Sequence, residues 1–78
     1  MKIFGRRVKS GDVISLSARE LKQRLDRGEK LAVVDVRQQA DFEEHPSAIP
    51  GAIRVPPTVL PERYGELPSD RLLVFVCT

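Results

Sequence analysis

Two stretches of the chain are apolar without interruption, Leu31-Ala32-Val33-Val34 and Leu72-Leu73-Val74-Phe75-Val76, and both are rich in β-branched residues. A strand with one wet face alternates apolar and polar residues. These two do not, so each is predicted to be a central strand covered on both faces, as in a parallel sheet. Asp35 interrupts the first run just before Val36, and Cys77 closes the second. Between and before these runs the pattern is helical or broken. Ser17-Ala18-Arg19-Glu20 has the spacing of a capping box, in which the Ser side chain accepts from the Glu backbone and the Glu side chain reaches back. The helix it opens places Ala18, Leu21 and Leu25 on one face. Gly28 stands just past its end, where a left-handed residue fits. Val13, Ile14 and Leu16 predict a short strand before this helix. Residues 38–44 have weaker helical character, with Phe42 as the buried contact. Two prolines and a glycine make 45–51 a loop. Residues 52–55 form a short strand, ended by Pro56 and Pro57. Pro61 suits the first turn of a short helix, and residues 68–70 turn the chain into the last strand.

Strands alternating with helices predict an α/β domain, a mostly parallel sheet with flanking helices. Ligands of such sheets bind beyond the carboxyl ends of the strands. Asp35, Val36 and Arg37 lie at one such end and Cys77 at another. They share a rim if the two apolar strands are parallel neighbours.

Composition narrows the function classes. The chain has 78 residues, enough for one domain, and its 41% hydrophobic and 31% charged content is that of a soluble globular protein. No run approaches the roughly 18 apolar residues of a membrane helix. The first ten residues are basic, but no apolar segment follows them, so no signal peptide is read and the default location is cytoplasmic. The net charge of +2 hides an asymmetry: residues 1–30 hold nine Lys/Arg against four Asp/Glu, residues 31–78 four against seven. The early cations read as a solvated helix face plus a basic arm over residues 1–11. No run of aromatic residues interleaves with them as base stacking would need, so neither nucleic acid nor membrane is expected as a partner. Cys77 is the only cysteine. An internal disulfide and a CxxC half-site are excluded, and with a single His no metal site is expected.

At this point a resemblance emerges. Val34-Asp35-Val36-Arg37, then Phe42, then Ile49-Pro50-Gly51-Ala52-Ile53, resembles the signature of rhodanese-type sulfurtransferase domains: an aspartate–x–arginine strand end, then a histidine–isoleucine–proline–glycine–alanine loop. Residues 72–77 look like the strand that delivers the rhodanese nucleophile, and the helix after Ser17 like the one that opens these domains. The likeness covers about residues 12–78. It departs in one loop: the family has Gly-His directly before Ile-Pro-Gly-Ala, whereas Pro46, Ser47 and Ala48 here separate His45 from Ile49. His45 is accordingly read as a loop residue. Family members also continue past the cysteine with a tight Gly- and Arg-containing loop, a helix and a strand. Residues 12–78 are therefore read as a rhodanese-like domain incomplete at its C-terminus.

The resemblance implies that Cys77 takes sulfane sulfur from a small donor such as thiosulfate, becomes a persulfide, and passes the sulfur to a thiol, protein or cyanide acceptor, with no cofactor. The attacking species is a thiolate, and a free cysteine titrates at about 8.5. Asp35, Arg37 and Thr78 are the residues expected to bind substrate or brace the cysteine loop. Thr78 is the first residue of that loop, and a chain-terminal carboxylate beside the thiol would oppose both thiolate and anionic donor. Little or no turnover is thus expected of the 78-residue monomer, and uncovered apolar sheet surface predicts self-association through an exposed edge. Each residue also has a plainer reading. Cys77 can be a small packed hydrophobe, Asp35 a strand-end carboxylate accepting N–H groups of the next turn, and Arg37 a surface cation. A non-catalytic rhodanese-like binding module is the alternative function, and a dual-specificity phosphatase with a longer cysteine loop is a more distant one.

Overall fold

Lys2–Arg6 forms the first strand, β1, and Val13–Ser15 the second, β2, in the computed structural model, which describes residues 2–46 and 49–77. Helix α1 (Ala18–Asp26), strand β3 (Leu31–Asp35), helix α2 (Gln39–Glu44) and strand β4 (Ile53–Arg54) follow. Helix α3 (Leu60–Arg63) continues into a 3₁₀ turn (Tyr64–Glu66), and strand β5 (Leu72–Cys77) ends the series. The strands make one sheet in the order β2-β1-β5-β3-β4. β3 is parallel to both β4 and β5, while β1 is antiparallel to both β2 and β5.

The α/β class holds, and the parallel part of the sheet consists of the two strands read from the apolar runs and the short strand read at residues 52–55. The first residues need a correction. Lys2–Arg6 is not a loose arm but a strand inside the sheet, paired along its whole length with β5. Its sequence alternates, as a strand with two unlike faces should: Ile3 and Gly5 are buried on one face, and Phe4 packs half-buried on the other. The two antiparallel pairings make the sheet as a whole mixed. β5 is therefore flanked on both sides, and the sheet edges are the three-residue β2 and the two-residue β4.

The sheet separates two apolar layers. On one face Val33, Leu72, Val74 and Val76 pack with Leu21 of α1, Leu16 and Ile3. On the other, Val34, Leu73 and Phe75 pack with Val55 and with half-buried Leu60, Tyr64 and Leu67. Val34 and Val74 are fully buried, so the uninterrupted apolar runs do mark strands covered on both faces. The predicted capping box forms: Glu20 N–H donates to Ser17 Oγ at 3.1 Å, and Ser17 N–H donates to Glu20 Oε1 at 3.3 Å. Gly28 adopts φ of 73°, the left-handed value expected past the helix end. The apolar stripe of α1 is only partly covered. Leu21 is buried, whereas Leu25 is exposed and, with Ile3, Ile49 and Pro50, lines an open groove of about 650 Å³. Among the described residues no helix is long and apolar enough to cross a membrane.

Candidate active site

Because β3 and β5 are parallel neighbours, their carboxyl ends meet. Asp35 stands in register with Val76, one residue before Cys77. Beyond the ladder, Val36 N–H donates to the Val76 carbonyl at 2.9 Å, which carries the pairing to the threshold of Cys77. The rim anticipated from the sequence is therefore present.

Asp35 and Arg37 form a buried ion pair there, 2% and 7% exposed. Arg37 Nη2 donates to Asp35 Oδ2 at 2.9 Å, and its Nε donates to Oδ1 at 3.0 Å, the fork-on-fork geometry that favours arginine over lysine. The backbone N–H of Arg37 also donates to Asp35 Oδ1, at 3.1 Å. Burial pushes the Asp35 carboxyl up, but the hydrogen bonds and charge of Arg37, with Arg54 beyond it, outweigh this and hold it below the usual carboxylate range. The Asp35 hydrogen bond in turn raises the Arg37 guanidinium against the cost of its own burial. Arg37, read plainly as a surface cation, is instead buried and paired with Asp35. Asp35 also accepts the N–H of the following turn, which is its plainer reading.

Arg54 was not among the residues singled out in the sequence. It ends β4 in register with Asp35 and donates from Nη1 to the Asp35 carbonyl oxygen at 3.1 Å. Its Nη1 lies 3.9 Å from Asp35 Oδ1, and its Nη2 donates to Gln39 Oε1 at 3.4 Å. Phe42, anticipated as a packing residue, lies under both cations. Its ring centroid is 4.5 Å from the Arg54 guanidinium and 5.6 Å from that of Arg37. A cation at the end of a strand neighbouring Asp35 is the only sequence signal for Arg54, and it has meaning only once β4 is known to pair with β3.

Cys77 is a half-buried free thiol at the end of β5. Strand alternation fixes its direction. Leu72, Val74 and Val76 belong to the α1 face, Leu73 and Phe75 to the other, and Cys77 continues the second series. Asp35 continues the Val33 series on the α1 face. The ion pair and the thiol therefore sit on opposite faces of adjacent strands, joined through backbone rather than through side chains. Lys2 is the cross-strand neighbour of Cys77. His45 is exposed at the end of α2, where its N–H donates to the Asp41 carbonyl. Thr78, and Ser47 and Ala48 of the lengthened loop, lie outside the described residues. Among the described residues no group of three His, Cys, Asp or Glu is placed to hold a metal ion.

A family model for the rhodanese-like domain matches residues 17–78. The chain belongs to the rhodanese-like domain family. Two curated relatives agree with it. A protein of Allochromatium vinosum named "Sulfurtransferase" is 34% identical over 65 residues, covering 83% of this chain and 59% of that protein. A protein of Bacillus subtilis named "Putative sulfurtransferase YtwF" is 29% identical over 66 residues, 85% of this chain and 62% of its own. The chain thus spans about three fifths of the length of these relatives. No solved structure gives a significant match. The rhodanese-like match begins at Ser17, the N-cap of α1, so β1 and β2 precede the matched residues. Both relatives carry sulfurtransferase names, and the family is of the sulfurtransferase type.

Proposed function

We propose that this rhodanese-like chain serves sulfur transfer, with Cys77 as the sulfur carrier and no cofactor. The Cys77 thiolate attacks the outer sulfur of a donor such as thiosulfate. The S–S bond of the donor breaks, sulfite leaves with its electron pair, and a persulfide remains on Sγ. A thiol or cyanide acceptor then takes the outer sulfur and frees the thiolate. The reading is supported above all by the place of Cys77. In a rhodanese-like domain, it is the nucleophilic residue type at the carboxyl end of a central strand, where ligands of open α/β sheets bind. Asp35 and Arg37 act in this reading as positioning residues: their pair sets the turn through Val36, which is bonded to the residue before Cys77. The reading includes slow turnover for these residues alone. An anionic donor needs cations or N–H groups around the sulfur, and among the described residues Lys2 is the one cation in register with Cys77.

Single-turnover loading tests the proposal without depending on turnover. The chain is incubated with excess thiosulfate, and sulfur is read both by mass on the Cys77 peptide and as thiocyanate released by cyanide. Uptake confined to Cys77 and absent from Cys77→Ser is the expected result. Equal uptake by Cys77→Ser, or none by the wild-type chain at saturating donor, overturns it.

A further inference from the structure

On β1, Lys2, Phe4 and Arg6 stand on the face of Cys77 by their register with β5. The cations that follow the strand lie elsewhere. Residues 7–10 turn the chain from β1 towards β2, with Gly11 N–H donating to the Arg7 carbonyl at 2.7 Å. This turn and residues 69–72, which lead into β5, line an open hollow of about 290 Å³. Val8 and Leu72 give it an apolar side. Leu72 and Cys77 are the two ends of the six-residue β5, about 16 Å apart at roughly 3.3 Å per residue. The hollow is therefore remote from the thiol.

Its charge is unbalanced. Arg7, Lys9 and Arg71 line it against one carboxylate, that of Asp70. Asp70 already has two cations: Arg71 Nε donates to its Oδ1 at 2.9 Å, and Lys30 Nζ lies 3.0 Å from its Oδ2. Arg71 bonds it through Nε and Nη2, so the Nη1 donors take no part in the pair. Among the described residues no carboxylate lies within ion-pair distance of Arg7 or Lys9. Pairing of β1 with β5 brings these like charges together from distant parts of the chain, and a concave wall of one sign concentrates the potential inside it. Two hydroxyls add donors. Ser10 Oγ accepts the Asp12 N–H at 3.3 Å, which leaves its own proton to donate, and Ser69 lines the β5 side. Two unpaired cations match a dianion, and the hydroxyls suit an anion with several acceptor oxygens. A phosphate monoester has close to two charges and three such oxygens, where a carboxylate has one charge and two. The volume is near the small end of ligand pockets, roughly 300–1,000 Å³, which leaves room for a compact body beside the phosphate. No aromatic ring lines the hollow, so stacking of nucleic-acid bases has no support there.

We propose that this hollow binds a small phosphate monoester. Arg7, Lys9 and Arg71 hold the phosphate, and Val8 and Leu72 take the apolar body of the ester. The site is separate from the rim that carries Cys77 and does not depend on the thiol. Arg7 and Lys9 precede Ser17, where the family match begins, so the turn after β1 adds this site to the matched domain. A ligand held there ties the β1–β2 turn to the start of β5 and stabilises the folded chain by mass action.

The test is an amide NMR titration of the chain with phenyl phosphate, benzenesulfonate and inorganic phosphate at about pH 8, where the monoester is a dianion. Phenyl phosphate is expected to shift residues 7–10 and 69–72 and to leave Val36 and Val76 in place. It should bind about tenfold more tightly than benzenesulfonate, which has the same ring and a single charge, and more tightly than inorganic phosphate, which lacks the ring. Arg7 and Lys9 are exposed, so Arg7→Gln combined with Lys9→Gln should keep the fold and weaken binding by about tenfold or more. Arg19→Gln combined with Arg27→Gln, which removes the same charge from α1 and its C-cap, should bind as the wild type does. Equal weakening in the two double variants, equal binding of the sulfonate or of inorganic phosphate, or shifts centred on the Cys77 end overturn the proposal. Binding of a short single-stranded oligonucleotide without binding of phenyl phosphate overturns it too, and makes the patch a polyanion surface. No sulfur enters the readout, so a chain that loads sulfur but ignores phenyl phosphate sinks this site and leaves Cys77 as carrier.

Discussion

The backbone N–H of Val36 donates to the carbonyl of Val76 at 2.9 Å. Val36 lies between the two members of a buried ion pair, and Val76 immediately precedes Cys77. One backbone hydrogen bond thus links the best-held charges of the fold to the end of the strand that carries the thiol. Disturbing the pair should therefore reach both stability and the position of Cys77.

Asp35→Asn removes the counter-ion of a guanidinium that is 7% exposed. Leaving that cation buried and unpaired should cost about 3–5 kcal/mol. Urea unfolding measures it, and a loss below about 1 kcal/mol would show that Arg37 reaches water once released.

The same carboxylate should shape the acid limb of the stability curve. Asp35 titrates lower in the folded chain than the roughly 3.9 of an unfolded aspartate. Between the two values the unfolded state binds more protons, so stability rises with pH. The Asp35 contribution is complete above the unfolded value and is lost as pH falls through the folded one. Asp70 is also held low, by Arg71 first and then Lys30, but it is exposed and salt screens it. Unfolding at high salt below about pH 4 should therefore report Asp35, and Asp35→Asn should flatten the slope.

Arg37→Lys keeps the charge and loses the paired donors. Hydrogen exchange at the Val36 amide is expected to quicken by about tenfold relative to amides in the middle of β5. Sulfur loading onto Cys77 should slow with it. Unchanged exchange at Val36 would remove the positioning role assigned to the pair.

Packing and capping give a graded series. Leu73→Ala, at a side chain 2% exposed between β1 and β3, should cost about 2–5 kcal/mol. Ser17→Ala should cost about 1 kcal/mol through loss of the capping box. Val13→Ala, at a residue 65% exposed on the edge strand, should stay within about 0.5 kcal/mol of wild type. Differential scanning calorimetry of the three variants checks the order.

How far each feature was legible depends on the range of the interactions that make it. The start of α1, its end at Gly28 and the apolar strands β3 and β5 depend on neighbours a few residues away or on gross burial, and the amino-acid pattern alone identified them. The Asp35–Arg37 pair spans two residues, so it too was within reach. The role of Arg54 was not, because its contact with Asp35 crosses 19 positions and exists only through the β3–β4 pairing. β1 was missed for the same reason. Its five residues are short and basic, and what makes them a strand is the β5 partner more than sixty positions further on. A strand has no internal hydrogen bonds, so its existence is decided by its neighbours. The sequence by itself determined the local helix signals, the covered strands and the residue type at the rim. The tertiary structure alone decided that the first residues belong in the sheet, and that they set Lys2, Phe4 and Arg6 on the face of Cys77.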